Sequence, residues 1–452
     1  MLLQPLTIAR NTFVESLRQP VVLLLVVLSG VFQVFNTWNS GFSMGQESAT
    51  EVKGDDKLLL DIGLATVFVI GTLLAGFIAT AVVSREIENK TVLTVISKPV
   101  GRPVLILGKY LGVLGAILLA LVAMFGFLLI ALRHGVMSTA ADGLDGPALV
   151  FGLSAVGLAL VIGAWCNFFY GWSFPQITLS VLVPLVVVAY LLVLFFSKKW
   201  QPQPLTNDLK PQILVACLCL GFAVTVLTAV AVAASTRLGQ VMTIVVCLGV
   251  FIVALLSNHL FGRHVFNNES VAFVTRATPA DSSQTGFTNR GEEIALELER
   301  PASKPIKTGD AVFYSPSPSG FPMLSQLPYE SFRGDLTDDR QVMSDEIPAS
   351  VVAAENRGTQ LRLRLVGGLP APVSRPPEAG DYLFLRETVV NPLALALWGI
   401  VPNLQNFWLL DSISQNRDVP GRYLALAAAY TVSQITMFLA LAVMLFQRRD
   451  VG

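Results

Sequence analysis

Ser84-Arg85-Glu86-Ile87-Glu88-Asn89-Lys90-Thr91-Val92-Leu93-Thr94-Val95-Ile96-Ser97-Lys98-Pro99-Val100-Gly101-Arg102 is a charged stretch set between two long runs, 62–84 and 110–132, that hold no Asp, Glu, Lys or Arg. A helix rises 1.5 Å per residue, so about 20 apolar residues cross the roughly 30 Å hydrocarbon core of a bilayer. Both runs are long enough. The same pattern recurs outward from this pair, at 20–37, 148–170, 175–197, 211–236, 238–258 and 423–447. The chain therefore reads as an all-α polytopic membrane protein with six to eight transmembrane helices. The short uncharged linker Gly171-Trp172-Ser173-Phe174-Pro175, with Pro184 in the second arm, leaves 148–197 open as two full spans or a re-entrant hairpin.

Composition agrees. Of 452 residues, 53% are hydrophobic and only 14% charged, against about 25% charge in an ordinary soluble domain. Lys+Arg and Asp+Glu are 31 each, so net charge makes no case for nucleic acid as a partner. Residues 258–390 hold 30 of those 62 charges and 12 of the 25 prolines, which sets them apart as a polar insert. Cys166, Cys217, Cys219 and Cys247 all lie in apolar runs and read as small core residues, not as a disulfide framework. No span carries a central charge, which argues against an ion-coupled carrier. No small-x-small cleavage site follows 20–37, so this first span is expected to stay as an anchor.

Residues 1–19 read as an amphipathic interfacial helix. Leu6, Ala9, Phe13 and Leu17 share one face, and Arg10, Asn11, Glu15 and Arg18 the other. Counting Lys and Arg beside the first spans puts the N-terminus, the 85–109 segment and the C-terminus in the cytoplasm, and the polar insert outside. The cytoplasmic segment itself reads as a short helix over 86–99. Glu86 and Glu88 sit at its positive N-terminal end, Val92, Leu93 and Ile96 make an apolar face, and Lys98 and Pro99 close it. A piece tethered at both ends to spans is placed to press on a partner. A charged turn without any such task fits the same residues.

Arg85-Glu86-Ile87-Glu88-Asn89-Lys90-Thr91, then Ser97-Lys98-Pro99-Val100-Gly101-Arg102, then Leu107-Gly108-Lys109-Tyr110-Leu111-Gly112 resemble the coupling-helix region of ABC transporter type-2 permeases. The nearest group is that of multi-copper enzyme maturation and gliding motility. Val401-Pro402-Asn403-Leu404-Gln405-Asn406-Phe407 with Asp411, and the ending Phe446-Gln447-Arg448-Arg449-Asp450, are similar to the same family. The likeness covers 1–132, 211–258 and 390–452. It implies a permease subunit in a bacterial inner membrane, with a second permease copy, identical or not, and an ABC ATPase subunit as partners. It also implies that Glu86, Glu88, Lys90, Thr91, Val92, Leu93, Ile96, Lys98, Pro99 and Arg102 are the ATPase-coupling residues. Two features depart from the family: 146–210 looks like an extra hairpin, and the polar insert is large.

The chain holds no motor of its own on this reading. A phosphate-binding loop needs Gly-x4-Gly-Lys-Ser/Thr, so that backbone N–H groups and the lysine hold the phosphates. Gly71 and Gly76 have the spacing, but Phe77-Ile78 follow inside a span. Gly108-Lys109 is followed by Tyr110. No cofactor is therefore expected in this chain, ATP and Mg being held by the partner subunit, and the chain is not expected to be an enzyme. Gly108-x3-Gly112 is a pattern of close helix contacts, though small residues are common in spans. His134, His259 and His264 fall at outer span ends. His259 and His264 are two ligands at most, too few for a zinc or copper site.

In the insert, Ile294, Leu296 and Leu298 alternate with Ala295, Glu297 and Glu299, and Leu361, Leu363 and Leu365 with Arg362 and Arg364. These are strands with one wet face, so 259–390 is expected to be a β-rich extracytoplasmic domain. A weak repeat runs through it. Asn289-Arg290-Gly291 and Gly309-Asp310 precede strands in the first copy, as Asn356-Arg357-Gly358 and Gly380-Asp381 do in the second. The second halves are offset by four residues. Two similar β units packed as one domain, or ordinary hairpins reusing the same turns, both fit. Residues 391–410 read as two short helices dipping into the outer leaflet, with Trp398 and Trp408 at the interface, before the last span at 423–447.

Two functions follow. One is an ATP-driven permease, an exporter of lipid-like or hydrophobic substrates. The other is a mechanical transmitter or scaffold, in which ATP hydrolysis inside reshapes the outer β domain for an extracytoplasmic partner and nothing crosses.

Overall fold

A computed structural model of the chain describes residues 3–39, 51–84, 101–136, 144–280, 287, 291–318, 330–344, 346–367, 376–386, 389–410 and 419–447. They form two compact units, Met1–Ala254 with Leu404–Gly452, and Leu255–Asn403.

The first unit is a helical bundle. Its elements are α1 (Leu3–Leu17), α2 (Pro20–Asn39), α3 (Glu51–Ala79), α4 (Arg102–His134), α5 (Gly146–Tyr170), α6 (Phe174–Phe195), α7 (Pro211–Ser235), α8 (Gln240–Leu255) and, after the second unit, the last helix (Gly421–Gln447). Among the described residues seven helices are long and apolar enough to cross a bilayer: Pro20–Trp38, Lys57–Ser84, Arg102–His134, Gly146–Tyr170, Phe174–Phe195, Pro211–Ser235 and Gly421–Gln447. The expected run 238–258 is cut short. Helix α8 has 16 residues, about 24 Å, and makes an eighth span only when taken with Asn258–Val265. The break falls where Ser257 and Asn258 interrupt the apolar run.

The hairpin left open by the sequence is two full-length helices. Helices α5 and α6 have 25 and 22 residues, roughly 37 and 33 Å, both longer than the hydrocarbon core. Gly171 turns the chain between them at φ 67°, a left-handed conformation that glycine adopts without strain. Pro184 sits inside α6 without ending it. At the other end of the hairpin, Asp145 caps α5 by accepting from the Ala148 N–H at 3.1 Å. The same carboxylate lies 2.7 Å from Arg133 Nη1, and Asp208 lies 3.0 Å from Arg133 Nε. Asp145 is wholly buried and the Arg133 side chain is 10% exposed, so this ion cluster clamps the hairpin onto the end of α4.

Helix α1 packs along the first turns of α4, because α4 offers glycines there. A Cβ on Gly108 would come within 2.8 Å of Ile8, and one on Gly112 within 2.5 Å of the Ala9 carbonyl and of Thr12 Cβ. The Gly108-x3-Gly112 pair is thus a close helix contact. Of the expected apolar face, Leu17 is buried, Phe13 lies against Gly115 and only Leu6 turns outward. Thr12 and Ser16 are buried, while Leu6 is 59% exposed. Small side chains were needed on the inner face, and Ser16 meets its own need by donating to the Thr12 carbonyl at 2.7 Å. Helices α2 and α3 are joined by amides: Gln33 donates to the Gly63 carbonyl and Asn36 to the Leu59 carbonyl, at 3.0 and 2.9 Å.

The second unit is built on a six-stranded antiparallel sheet of order β4-β7-β2-β3-β6-β5, with β2 (Ala272–Pro279), β3 (Glu293–Leu298), β4 (Phe313–Ser315), β5 (Ser350–Arg357), β6 (Gln360–Val366) and β7 (Tyr382–Phe384). A separate ribbon pairs β1 (Phe266–Asn267) with β8 (Val389–Val390), so the chain enters and leaves side by side. The period-two reading holds in β3 and β6. Ile294, Leu296, Leu298, Leu361, Leu363 and Leu365 are buried in one core with Val274, Phe313 and Phe384.

The two sequence copies interleave. Strand β3 pairs with β6, with Ala295 opposite Arg362, and β4 pairs with β7, with Phe313 opposite Phe384. These are equivalent positions of the two copies, so a local two-fold runs through both pairs. The flanks obey it too. The Gly309 N–H donates to the Ala353 carbonyl, and the Gly380 N–H to the Val274 carbonyl, both at 2.8 Å. Gly309 and Gly380 both have left-handed φ, 87° and 99°. Asp310 and Asp381 each accept from the N–H three residues earlier at 2.8 Å. The Ala311–Val352 bridge joins the β4 edge to β5, closing the sheet on itself. The unequal spacing of the copies is absorbed between β6 and β7.

Within this unit Asn391 caps the helix Pro392–Ile400, accepting from Leu393 and Ala394. The second expected short helix is a single 3-10 turn, Leu404–Phe407, in the first unit.

Candidate functional site

Nine of the ten residues assigned to ATPase coupling, Glu86, Glu88, Lys90, Thr91, Val92, Leu93, Ile96, Lys98 and Pro99, lie outside the described residues; Arg102 lies within them. The described structure gives the two points where the chain enters and leaves that stretch.

At the entry, α3 widens into a π-helical turn over Thr80–Ser84, all five residues buried. Such a turn inserts an extra residue and disturbs the regular hydrogen-bond ladder, a feature found often at functional positions. Three side chains serve this turn. Thr80 Oγ1 donates to the Gly76 and Phe77 carbonyls, each at 2.9 Å. Lys109, reaching across from α4 and only 7% exposed, places Nζ 3.5 Å from the Val82 carbonyl. Ser84 Oγ bonds the Ser235 carbonyl at 3.1 Å and the Leu238 carbonyl. The end of α3 is thereby fastened to the turn between α7 and α8.

At the exit, Gly101 caps α4 in extended conformation and Pro103 stands in its first turn. Arg102 Nη1 donates to the Gln447 carbonyl at 2.9 Å, and its guanidinium lies 5.9 Å from the Phe446 ring centroid. Arg237, in the α7–α8 turn, donates through Nε to the Leu445 carbonyl at 2.9 Å. The last carbonyls of a helix have no partner within it and carry the negative end of its dipole, so two arginines suit that place.

Entry and exit are thus tied together. Ser84 holds the α7–α8 turn, Arg237 of that turn holds the end of the last helix, and Arg102 holds the same end. A force on the intervening stretch would meet α3, α4, α7 and the last helix at one junction. The sequence pointed to Arg102. Ser84 stands at the edge of the quoted stretch, and in sequence Lys109 and Arg237 bear only on orientation. Isolation between two apolar runs is the one signal that marks Arg237.

The junction also fixes sidedness within the bundle. The end of the last helix meets the start of α4, whose first turns carry α1. The first and last helices therefore have their chain ends at one end of the bundle. An even number of crossings satisfies this, which favours counting α8 with Asn258–Val265 as the eighth.

The histidines gather no metal set. Arg263 Nε donates to His264 Nε2 at 3.0 Å, and among the described residues no three His, Cys, Asp or Glu side chains come together.

Residues 6–169 match the family described as ABC-2 family transporter protein. The match runs to the last turn of α5, so the first arm of the hairpin lies inside the family's pattern, whereas 211–258 and 390–452 lie beyond it. No curated protein and no solved structure matches the chain. Seven membrane-length helices among the described residues and a matching N-terminal third lead to one conclusion: this is a multi-pass membrane protein whose residues 6–169 are similar to the ABC-2 family transporter proteins.

Proposed function

We propose that the chain is the membrane-spanning subunit of an ATP-driven exporter, working with a separate ABC ATPase that binds ATP and Mg. Permeases of this family are transporter components, not themselves catalytic, and the family implies an ABC ATPase partner and usually a dimer of permeases. The stretch 86–99 is the coupling helix. It lies in the cytoplasm of a bacterial cell beside both termini, and the β-rich unit lies outside. The single observation that carries the coupling is the junction. Ser84 and Arg102, the residues on either side of the stretch, are fastened through Ser235, Leu238, Arg237, Leu445 and Gln447. A cytoplasmic turn with no task would need no such anchorage. Nucleotide-driven movement of the ATPase reaches the spans here, and the path opens between two permease copies.

A second reading, transmission to the β unit without transport, is favoured by one observation. That unit has its own closed sheet and core, and joins the chain through the β1–β8 ribbon. The ribbon also supplies the test. Asn267 pairs with Val389, so a short Gly-Ser link can replace 268–388. The shortened chain is expected to reach the membrane, to co-purify with its ATPase, and to support at least half of the parental Mg-ATP hydrolysis. Retained binding with hydrolysis cut about tenfold would favour the transmitter instead.

A further inference from the structure

The turn between α5 and α6 carries a cluster of exposed aromatic side chains. Trp165, Phe168, Phe169, Tyr170 and Trp172 all stand more than half exposed, Phe168 at 82%. They touch mainly one another: Trp165 and Phe169 centroids are 4.2 Å apart, Phe168 and Phe169 5.0 Å, Tyr170 and Trp172 5.3 Å. Residues 146–197 include no Asp, Glu, Lys or Arg. A turn projecting into water would rarely be built this way, and a protein partner would find no charge there to set its register.

Depth gives the occupant. Helix α5 begins at the buried Arg133–Asp145 pair, and about 20 of its 25 residues fill the hydrocarbon core. The remaining turn, from Trp165 onward, emerges at the opposite headgroup level. A second contact marks the same level. Arg18, at the end of α1, donates through Nε to Gln176 Oε1 in the first turn of α6 at 3.1 Å. The cation missing from the turn is supplied by the neighbouring helix. Tryptophan and tyrosine, with an apolar body and one polar edge, favour this zone.

We propose that the Trp165–Trp172 turn is a lipid-binding anchor, seated among phospholipid headgroups and glycerol with Arg18 beside it facing the phosphates. Assigning it to the cytoplasmic leaflet rests on the orientation proposed above; its depth does not, and needs no ATPase.

The test is tryptophan quenching of the full chain in nanodiscs. The signal of Trp165 and Trp172 is taken as the difference between the parental protein and the W165F/W172F variant. The lipids are phosphatidylcholine brominated high on the acyl chain or near its methyl end, and the aqueous quencher is iodide. The high bromines should quench that difference signal at least twofold more than the deep ones, and more than iodide. Dominant iodide quenching would place the turn in water, and dominant deep quenching would make it re-entrant. Loss of lipid quenching once an ATPase subunit is bound would give the surface to that protein. Each of these three results overturns the proposal. Failure of the coupling proposal, with the high-bromine pattern intact, would leave it standing.

Discussion

Replacing Glu86 and Glu88 together by lysine should release the ATPase subunit while leaving the protein in the membrane. The two carboxylates sit near the start of the stretch between two spans, and in the proposed coupling helix the dipole would favour negative charge there. Charge reversal there acts twice, disfavouring the helix start and repelling whatever cation the partner offers. A desolvated interfacial charge left without its counterpart costs roughly 2–5 kcal/mol, and about 1.4 kcal/mol is tenfold in affinity. Co-purification should therefore fall by about 30-fold or more, measured as Mg-ATP hydrolysis recovered with the tagged permease. Membrane yield should be unchanged, since neither residue lies in a span. Full recovery of hydrolysis in the double variant would remove these residues from the contact.

Arg133→Ala is expected to be the most damaging single change in the described bundle. It removes the one basic partner that two carboxylates have among the described residues, 2.7 and 3.0 Å away, and leaves the wholly buried Asp145 without it. Breaking a buried pair by deleting one member typically costs about 3–5 kcal/mol. The loss would free the α5–α6 hairpin from α4, because Asp145 also caps α5. Thermal unfolding of the detergent-solubilised protein should show a clear drop in midpoint. Arg133→Lys keeps the charge but not the fork that reaches both carboxylates, and should fall in between. A midpoint unmoved by Arg133→Ala would mean that the cluster holds nothing together.

The spans could be read from the chain because bilayer thickness sets a length and charge marks the limits. The β unit could be read because alternation survives in Ile294-x-Leu296-x-Leu298 and Leu361-x-Leu363-x-Leu365. What escaped depended on partners far along the chain. On α1 the expected face holds at Phe13 and Leu17 but not at Leu6, because hydrophobicity does not separate inside from outside when the outside is lipid. The contact with Gly108 and Gly112 takes Ile8, Ala9 and Thr12, and Leu6 faces outward. The repeat in the β unit was visible, but its interleaving was not. Nothing local in Ala295 or Phe313 says that its neighbour across the strands is the equivalent residue of the other copy. The junction escaped for the same reason. Arg237 and Leu445 are 208 positions apart and meet through a backbone carbonyl, which leaves no mark on residue type.

We propose that 86–99 is the cytoplasmic point of contact with an ATP-hydrolysing subunit. A photo-crosslinking amino acid placed at Leu93, on the expected apolar face, tests it most directly. In membranes from the native host, irradiation should join the permease to one protein that carries a Gly-x4-Gly-Lys-Ser/Thr loop and hydrolyses ATP. Crosslinking only to lipid or to extracytoplasmic proteins, or labelling of a cysteine at the same position by an impermeant reagent in intact cells, would contradict the account.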